Sequence, residues 1–569
     1  MFHSTTHWWH VRNVIESATD WQVYLVIVLV SAIVYGKSIT YEFTYVDDLE
    51  LVVLNQNELS SLANVPKLFQ SDVFLSTTNA KLFYRPLLNI LFMFETFIAK
   101  DSPTMYHITN ILLHIGCSIL TYKVLRQLGC VIQVAGIAAL LFCVHPLNAS
   151  AVVWIPGCND TLLTVLILGS FSFLLRAMNT KRAGPLVWHA ILFFLALLTK
   201  ESAIVFPILT VSYVFFFYDG TSRKTVSMLA FCTYILPIVV WFVLRSSVPQ
   251  TFTVHLKTDF FLMSSLRNVP GLFLYVGKIF LPFNLSIFPN LTDNSIVPGI
   301  LCSVALLAVW MAWKFPSTKE VVWGFGWFLL FLIPTFVSNF ILFEHRAYSA
   351  FFGLLFCTTQ LPFLRSLNLS KTIHVLGIVV VLAGFAIIAM FHSEQYRNRT
   401  SYVMSAYTSN PSIDGSYANL AELFIAEGNY DDAERVLRKG IARDPDMVAS
   451  HRILADILAR RHEYEMAAQE YETSLRLNPL QLNTYITYGT MCLELGRVDK
   501  ASRLWKASVK VNPNYIFGYY HLANFYIHVK NDPDSAMFYA RQIQEHGATV
   551  MPELLREIQA NPLYGGRKP

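Results

Sequence analysis

The ionisable residues that stand out in this chain lie at the ends of apolar runs, where a charge is costly and often functional. Tyr45-Val46-Asp47-Asp48 follows the first run, and Tyr84-Arg85-Pro86-Leu87 comes next. His107, Asn110 and His114 open a later run, His145-Pro146 closes another, and Asn159-Asp160 begins a third. Thr199-Lys200-Glu201-Ser202 is a tight polar break, and Arg245, His255 and Lys257 follow. Last come Glu344-His345-Arg346-Ala347-Tyr348 and Tyr396-Arg397-Asn398. Each has a plainer reading alone: paired aspartates cap helices, Lys200 and Glu201 form a turn ion pair, and His107 and His114 pack on one helical face. Together they suit an anionic substrate. Arginine presents a planar fork of donors to phosphate and stays charged. A carboxylate at the membrane surface suits a general base acting on a hydroxyl.

The elements that must carry these residues are read from hydropathy. The 569 residues are 54% hydrophobic and only 14% charged, against about 25% charged in ordinary soluble chains. Crossing the hydrocarbon core takes roughly 20 apolar residues. Eleven segments qualify: 21–37, 105–125, 131–149, 160–178, 185–199, 201–218, 225–244, 296–313, 321–342, 348–365 and 373–392. Phe83–Ile98 and Val269–Phe283 are shorter, carry charge or proline, and read as interfacial helices. Trp21–Tyr35 has no small-residue cleavage site after it and reads as a retained span. With the N-terminus cytoplasmic, Lys123, Arg126, Arg176, Lys181, Arg182, Arg223, Lys224, Lys314, Lys319, Arg365 and Lys371 all fall in cytoplasmic loops, as the positive-inside rule requires. The polar motifs then share the opposite face. The net charge of +5 is unclustered, which argues against nucleic acid. The eight cysteines show no CxxC spacing, so neither a disulfide framework nor a zinc site is indicated.

Pro411, Pro445, Pro479 and Pro513 recur every 34 residues, the period of tetratricopeptide repeats. Positions between them agree: Tyr417, Leu420, Ala421, Ala433, Leu437; then His451, Leu454, Ala455, Ala467, Tyr471; then Tyr485, Tyr488, Gly489, Ala501, Trp505; and a fourth set from Tyr519. Such arrays bind extended peptides or proteins on a concave face. The expected fold is all-α: a polytopic helical membrane domain over 1–395, then a repeat solenoid over 396–569 on the extracytoplasmic side.

The ordered set Asp47-Asp48, Tyr84-Arg85-Pro86-Leu87, His107-x-x-Asn110-x-x-x-His114, His145-Pro146, Asp160, Lys200-Glu201 and Glu344-His345-Arg346-x-Tyr348, followed by the repeats, resembles the transmembrane and tetratricopeptide-repeat-containing O-mannosyltransferases and their prokaryotic relatives. These belong to the GT-C class of glycosyltransferases. Two departures stand out. Gly157-Cys158-Asn159-Asp160 replaces the family's Gly-Arg-Ala-Asp, and Ser349-Ala350-Phe351 replaces the Leu-Pro-Ser that follows Arg-x-Tyr. The resemblance implies transfer of a hexose, mannose foremost, from a polyprenyl-phosphate donor to Ser or Thr hydroxyls of a protein. It implies a base at Asp47 or Asp48, with Asp47 favoured, and donor-phosphate contacts from Arg346, Arg85 and Lys200. His145, Asp160, Glu201, Glu344, His107, Asn110 and Tyr348 would orient sugar or loops. No cofactor is certain; a divalent metal is compatible with the carboxylates, and many members of the class work without one. The implied partners are the lipid-linked donor, a protein or peptide acceptor on the repeats, and membrane lipid.

Two other functions are compatible with these features. A transferase acting on lipid or polysaccharide would share the loops and spans. An inactive membrane scaffold or assembly factor would share the repeats. A transporter would need inverted repeats of broken helices, and none is evident. Sequons at Asn148, Asn159, Asn284, Asn290 and Asn398 lie on the outer face. Glycans at Asn148 and Asn159 would crowd the site, which favours a bacterial inner membrane with periplasmic repeats over the endoplasmic reticulum.

Overall fold

The structure is a computed structural model that describes residues 19–75, 83–100, 102–218, 223–248, 265–312, 318–337, 341–361, 364, 371–546 and 550–564. His255, Lys257, Lys314 and Arg365 lie outside the described residues. The described secondary structure is helical throughout, without strands. It divides into two compact units between Asn410 and Pro411.

In the first unit every one of the eleven apolar segments forms a helix: Asp20–Tyr35, Thr104–Gln127, Ile132–Val144, Cys158–Thr180, Gly184–Thr199, Phe206–Phe217, Arg223–Ser246, Val297–Ala312, Thr318–Val337, Tyr348–Thr359 and Thr372–Ser393. Among the described residues, five helices are long and apolar enough to cross a bilayer, and a sixth is reached if Ile132–Val144 and Pro146–Val153, bent by 50°, form one span. Gly184–Thr199, Phe206–Phe217, Val297–Ala312 and Tyr348–Thr359 are shorter. Gly184–Thr199 has 16 residues and rises about 24 Å, less than the ~30 Å hydrocarbon core. Lys200 then breaks the helix before Phe206-Pro207 restarts it. The chain is thus a multi-pass membrane protein.

Burial explains which helices are central. Thr372–Ser393 leaves Ile373, Leu376, Val380 and Phe391 exposed, an apolar surface suited to lipid. Cys158–Thr180 is mostly enclosed by Thr104–Gln127, Gly184–Thr199 and Tyr348–Thr359. Thr318–Val337 and Tyr348–Thr359 cross so closely that a Cβ on Gly353 would sit 2.3 Å from the Gly324 carbonyl oxygen. Small residues permit such approach in membranes, and this crossing fixes the turn Glu344–Ala347 that precedes it. The helix Arg399–Ser409 groups with this unit: Tyr402 is buried against Trp154, Phe288 and Tyr396.

The second unit is four helix pairs, 414–426 with 430–443, 448–460 with 464–477, 482–494 with 498–511, and 516–528 with 533–545, then a final helix Pro552–Ala560. First helices begin 34 residues apart, at the period of the prolines. Ala421, Ala433, Leu437, Leu454, Ala467, Tyr471 and Trp505 form one continuous core. The Asp414 carboxylate accepts from the Ala449 and Ser450 amides of the next repeat at 2.6 and 3.0 Å, capping its first helix.

Candidate active site

Four cations from separate elements meet in one pocket of about 330 Å³ in the first unit. Arg85 stands just before helix Pro86–Ala99, Lys200 just after Gly184–Thr199, Arg245 in the last turn of Arg223–Ser246, and Arg346 in the 3₁₀ turn Glu344–Ala347. Two carboxylates face them. Lys200 Nζ donates to Asp160 Oδ1 and Oδ2 at 2.7 and 2.8 Å and to Asn159 Oδ1 at 3.0 Å. Arg85 Nε and Nη2 donate to Glu201 Oε2 at 3.3 and 3.2 Å. Glu201 Oε1 accepts from the Tyr84 amide at 3.1 Å and lies 3.8 Å from Arg245 Nη1. Four cations against two carboxylates leave the pocket positive. Burial pulls the Lys200 ammonium below its ordinary value, with Arg85 and Arg346 adding to the pull and Asp160 opposing it. A cation held this way gains from an incoming anion.

The turn carrying Arg346 is anchored from below. Glu344, 2% exposed, accepts from Lys278 Nζ at 2.6 Å, His392 Nε2 at 2.9 Å and the Ser286 amide at 2.9 Å. Burial alone would raise its proton affinity; Lys278 and His392 override that and hold it at about 2. Glu344 is thus committed to fixing the turn, and Arg346 extends from it with its guanidinium 5.1 Å from the Phe343 ring.

The first-loop aspartates differ sharply. Asp48 is 1% exposed and accepts from Thr44 N at 2.6 Å, Thr44 Oγ1 at 3.0 Å and Val46 N at 3.0 Å. It locks the loop, whose Tyr45 has φ 55°. Asp47 keeps contact with solvent yet is hemmed in on its other sides. That desolvation, with Asp48 and Glu50 nearby, pushes its carboxyl up to about 6.

Other expected site residues serve the packing around the pocket. His145 Nε2 donates to the Ile279 carbonyl at 2.8 Å, and its Nδ1 accepts from Leu147 N at 3.2 Å. Tyr348 is paired with His114 Nδ1 at 2.6 Å. Asn110 Nδ2 donates to the Trp154 carbonyl at 3.2 Å, and His107 is buried edge-on to Tyr41. Cys158, where the resembled family carries arginine, is buried in an apolar cluster with Leu88, Phe92 and Tyr106. The sequence places Arg245 and His345 among the polar residues of the motif-bearing face without an individual role, and it singles out neither Lys278 and His392 nor Trp154 and Tyr402. A lysine inside the apolar run 269–283 was a readable signal for Lys278; the aromatic residues carry no pattern that separates them from core. Among the described residues no three His, Cys, Asp or Glu side chains converge as a metal-ligand set.

Comparison with known proteins follows the same outline. The tetratricopeptide-repeat family model matches residues 419–481. The mouse protein O-mannosyl-transferase TMTC3 is 32% identical over 189 residues, covering 31% of this chain and 20% of that protein. Its human counterpart is 21% identical over 562 residues, covering 87% of this chain and 61% of that protein. Human protein O-mannosyl-transferase TMTC4 is 28% identical over 204 residues, 32% of this chain and 27% of that protein. The chain therefore spans less than two thirds of the length of these relatives. The crystal structure of MamA covers 26% of this chain and 87% of its own at 19% identity, with a TM-score of 0.23, too low to carry a fold. The long match to the human relative, together with the repeats, relates this chain to the TMTC-type, tetratricopeptide-repeat-containing protein O-mannosyl-transferases.

Proposed function

We propose that the chain transfers a hexose, mannose foremost, from a polyprenyl phosphate to Ser or Thr hydroxyls of a protein. The observation that carries this reading is the net-positive pocket of Arg85, Lys200, Arg245 and Arg346 in the same unit as the solvent-facing Asp47. In the reaction, Asp47 takes the proton of the acceptor hydroxyl. The hydroxyl oxygen forms a bond to the anomeric carbon, and the bond from that carbon to the lipid phosphate oxygen breaks. The phosphate leaves with the electron pair and a second negative charge. Arginine and lysine donors aimed at that developing charge stabilise the transition state more than the ground state. Asp48, with its oxygens occupied by Thr44 and Val46, holds the loop.

The motif-bearing face is read as extracytoplasmic from the positive-inside pattern. The sequon argument for a bacterial membrane loses weight here: Asn148 is fully buried and its amide donates to the Phe142 carbonyl at 2.8 Å, so no compartment would glycosylate it in the folded protein. Animal relatives favour the lumen of a eukaryotic secretory membrane. The repeats serve as the acceptor platform. The test is incubation of the purified chain with polyprenyl-phosphate mannose and a Ser/Thr-rich protein, read by intact mass. One added hexose per site is expected. No transfer from any polyprenyl-phosphate sugar would overturn the reading.

A further inference from the structure

The first helices of the last two repeats stand apart from the rest of the array in charge. First helices of successive repeats pack on one another, so they line the inside of the curve, where such arrays present their binding surface. Leu482–Glu494 and Ile516–His528 hold no Lys, Arg or Asp, and their one Glu, Glu494, is the last residue of its helix. The second helix of the third repeat, Val498–Val511, by contrast carries Asp499, Lys500, Arg503, Lys506 and Lys510. In the first two repeats the inner charges engage each other: Arg452 donates to Asp456 at 3.0 Å and to Glu422 at 3.5 Å. An uncharged inner wall follows. Asn483, Thr487 and Thr490 fall at i, i+4 and i+7 on one stripe, and Phe517, Tyr520 and Asn524 at i, i+3 and i+7 on the next. Asn483, Thr487 and Asn524 are exposed, Thr490 and Tyr520 half-buried, and Phe517 is 61% exposed. Tyr488, Cys492, Leu522 and Phe525 of the same two helices are in the core. The final helix, Pro552–Ala560, joins Tyr519 and Ala523 in a separate cluster through Leu554 and Ile558 and leaves Phe517 and Asn524 exposed.

We infer that this wall binds an extended, uncharged, Ser/Thr-rich segment of the acceptor polypeptide, through its backbone at Asn483 and Asn524 and through an apolar side chain on Phe517. The identity of that segment as acceptor rests on the transferase reading proposed above. The two amides suit a peptide backbone. Asn483 Oδ1 accepts from the Tyr515 hydroxyl at 2.5 Å, across the junction of the two repeats, which fixes the amide and leaves its N–H groups as donors. Asn524 Nδ2 donates to the Tyr520 carbonyl at 2.9 Å, leaving its oxygen as an acceptor. The wall thus offers a donor for a backbone C=O and an acceptor for a backbone N–H. Side chains held before binding lose little freedom on binding. Phe517 presents its ring beside them, where an aliphatic or aromatic side chain gains by burial. Charge selects the occupant. A lysine or glutamate laid on this wall would give up water and meet no opposite charge, whereas serine and threonine hydroxyls pair with amides and hydroxyls of the wall.

The experiment measures binding of fluorescently labelled short peptides to the full detergent-solubilised chain, and hexose transfer to the same sequence carried in a protein. One peptide is Ser/Thr-rich with a central leucine. Two others replace alternate serines by glutamate or by lysine, and a fourth has N-methylated backbone amides. Wild type, Asn483→Ala, Asn524→Ala, Phe517→Ala and Phe517→Tyr are compared, with Arg503→Ala on the outer helix as a control, each checked for an unchanged melting profile. Wild type is expected to hold the neutral peptide about ten-fold more tightly than the charged or N-methylated ones. Each asparagine variant should lose about three- to ten-fold and Phe517→Ala about ten-fold; Phe517→Tyr and Arg503→Ala should bind as wild type. In transfer, the weakened variants should raise the acceptor KM by matching factors with kcat and donor affinity kept. Neutral peptide held no better than charged ones, or held by the asparagine variants and Phe517→Ala as by wild type, would overturn the inference. So would a dimer that Phe517→Ala abolishes and the peptide does not displace, which would give the wall to a second copy of the chain. Hexose transfer with an unchanged acceptor KM in every inner-wall variant would overturn the inference and leave the transferase reading standing. Peptide binding without transfer from any polyprenyl-phosphate sugar would overturn that reading, and the identity of the peptide as acceptor with it.

Discussion

Asp47 and Asp48 are neighbours in sequence with opposite surroundings, and their variants should separate accordingly. With its carboxyl at about 6, Asp47 is protonated and unable to accept a proton in acid. Transfer should rise about ten-fold per pH unit up to that point and level off above it. Asp47→Asn should lose ~10²–10⁴-fold in rate and the acid limb with it, with donor affinity kept. Asp48→Asn removes a charge that raises Asp47, so the limb should move to lower pH; an unmoved limb would count against that coupling. Lost acceptors for Thr44 and Val46 should cost about 1–3 kcal/mol of stability. Glu95 makes a different prediction. It is buried, and burial, opposed only in part by Thr109, pushes its carboxyl up to about 8. Its folded form holds a proton that the unfolded chain releases near the ordinary carboxylate range. Stability should therefore be full in acid and fall as pH rises from about 5 toward 8, at up to ~1.4 kcal/mol per unit. Glu95→Met should flatten that fall, and thermal unfolding of both proteins across pH 5–8 checks it.

Helices were legible in the sequence where their apolar runs were long, as in Thr104–Gln127 and Thr372–Ser393, and in the repeats, where a 34-residue period left little choice. Helix length was less legible. Proline and charge within 131–149 and near Lys200 turn expected full spans into bent or short ones, because only packed partners can satisfy the freed backbone groups. In the site, charge was legible and assembly was not. Arg85, Lys200 and Arg346 stand out singly, but their meeting with Arg245 depends on which helices cross, and the Gly324–Gly353 contact that fixes Arg346 carries no local signal. The repeats give a test at this scale. After the first helix of successive repeats, Gly428, His462 and Gly496 occupy one position 34 residues apart, all with positive φ, 79°, 65° and 70°. A left-handed conformation costs a side-chain-bearing residue about 1–2 kcal/mol, and glycine escapes it. His462→Gly should stabilise the repeat unit by up to about 1 kcal/mol, the net after losing the His462–Tyr464 hydrogen bond. Chemical denaturation of the full chain followed by repeat-domain fluorescence reads the shift; a decrease in stability would contradict it.

For the whole molecule, the account needs pocket, Asp47 loop and repeats on one side of the membrane. A reporter fused after Gln395 should be active only outside the cytoplasm and one at Asn179 only inside; a cytoplasmic signal after Gln395 would break the arrangement. The division of labour across the chain then follows. On the proposed reading, a membrane unit with lipid-facing helices would receive the donor laterally, its cations would hold the phosphate, and the repeat array would present the polypeptide. The membrane unit ends at Asn410, whose side chain accepts from the Phe288 amide at 3.0 Å, so removing 411–569 should leave donor binding intact and abolish transfer to folded protein acceptors. The most direct test of the central claim is a paired measurement of polyprenyl-phosphate mannose affinity and hexose transfer for wild type and Asp47→Asn, read by intact mass. The account predicts transfer by wild type, and in Asp47→Asn an unchanged donor affinity with a rate lower by ~10²–10⁴-fold. Transfer by Asp47→Asn at the wild-type rate would contradict it.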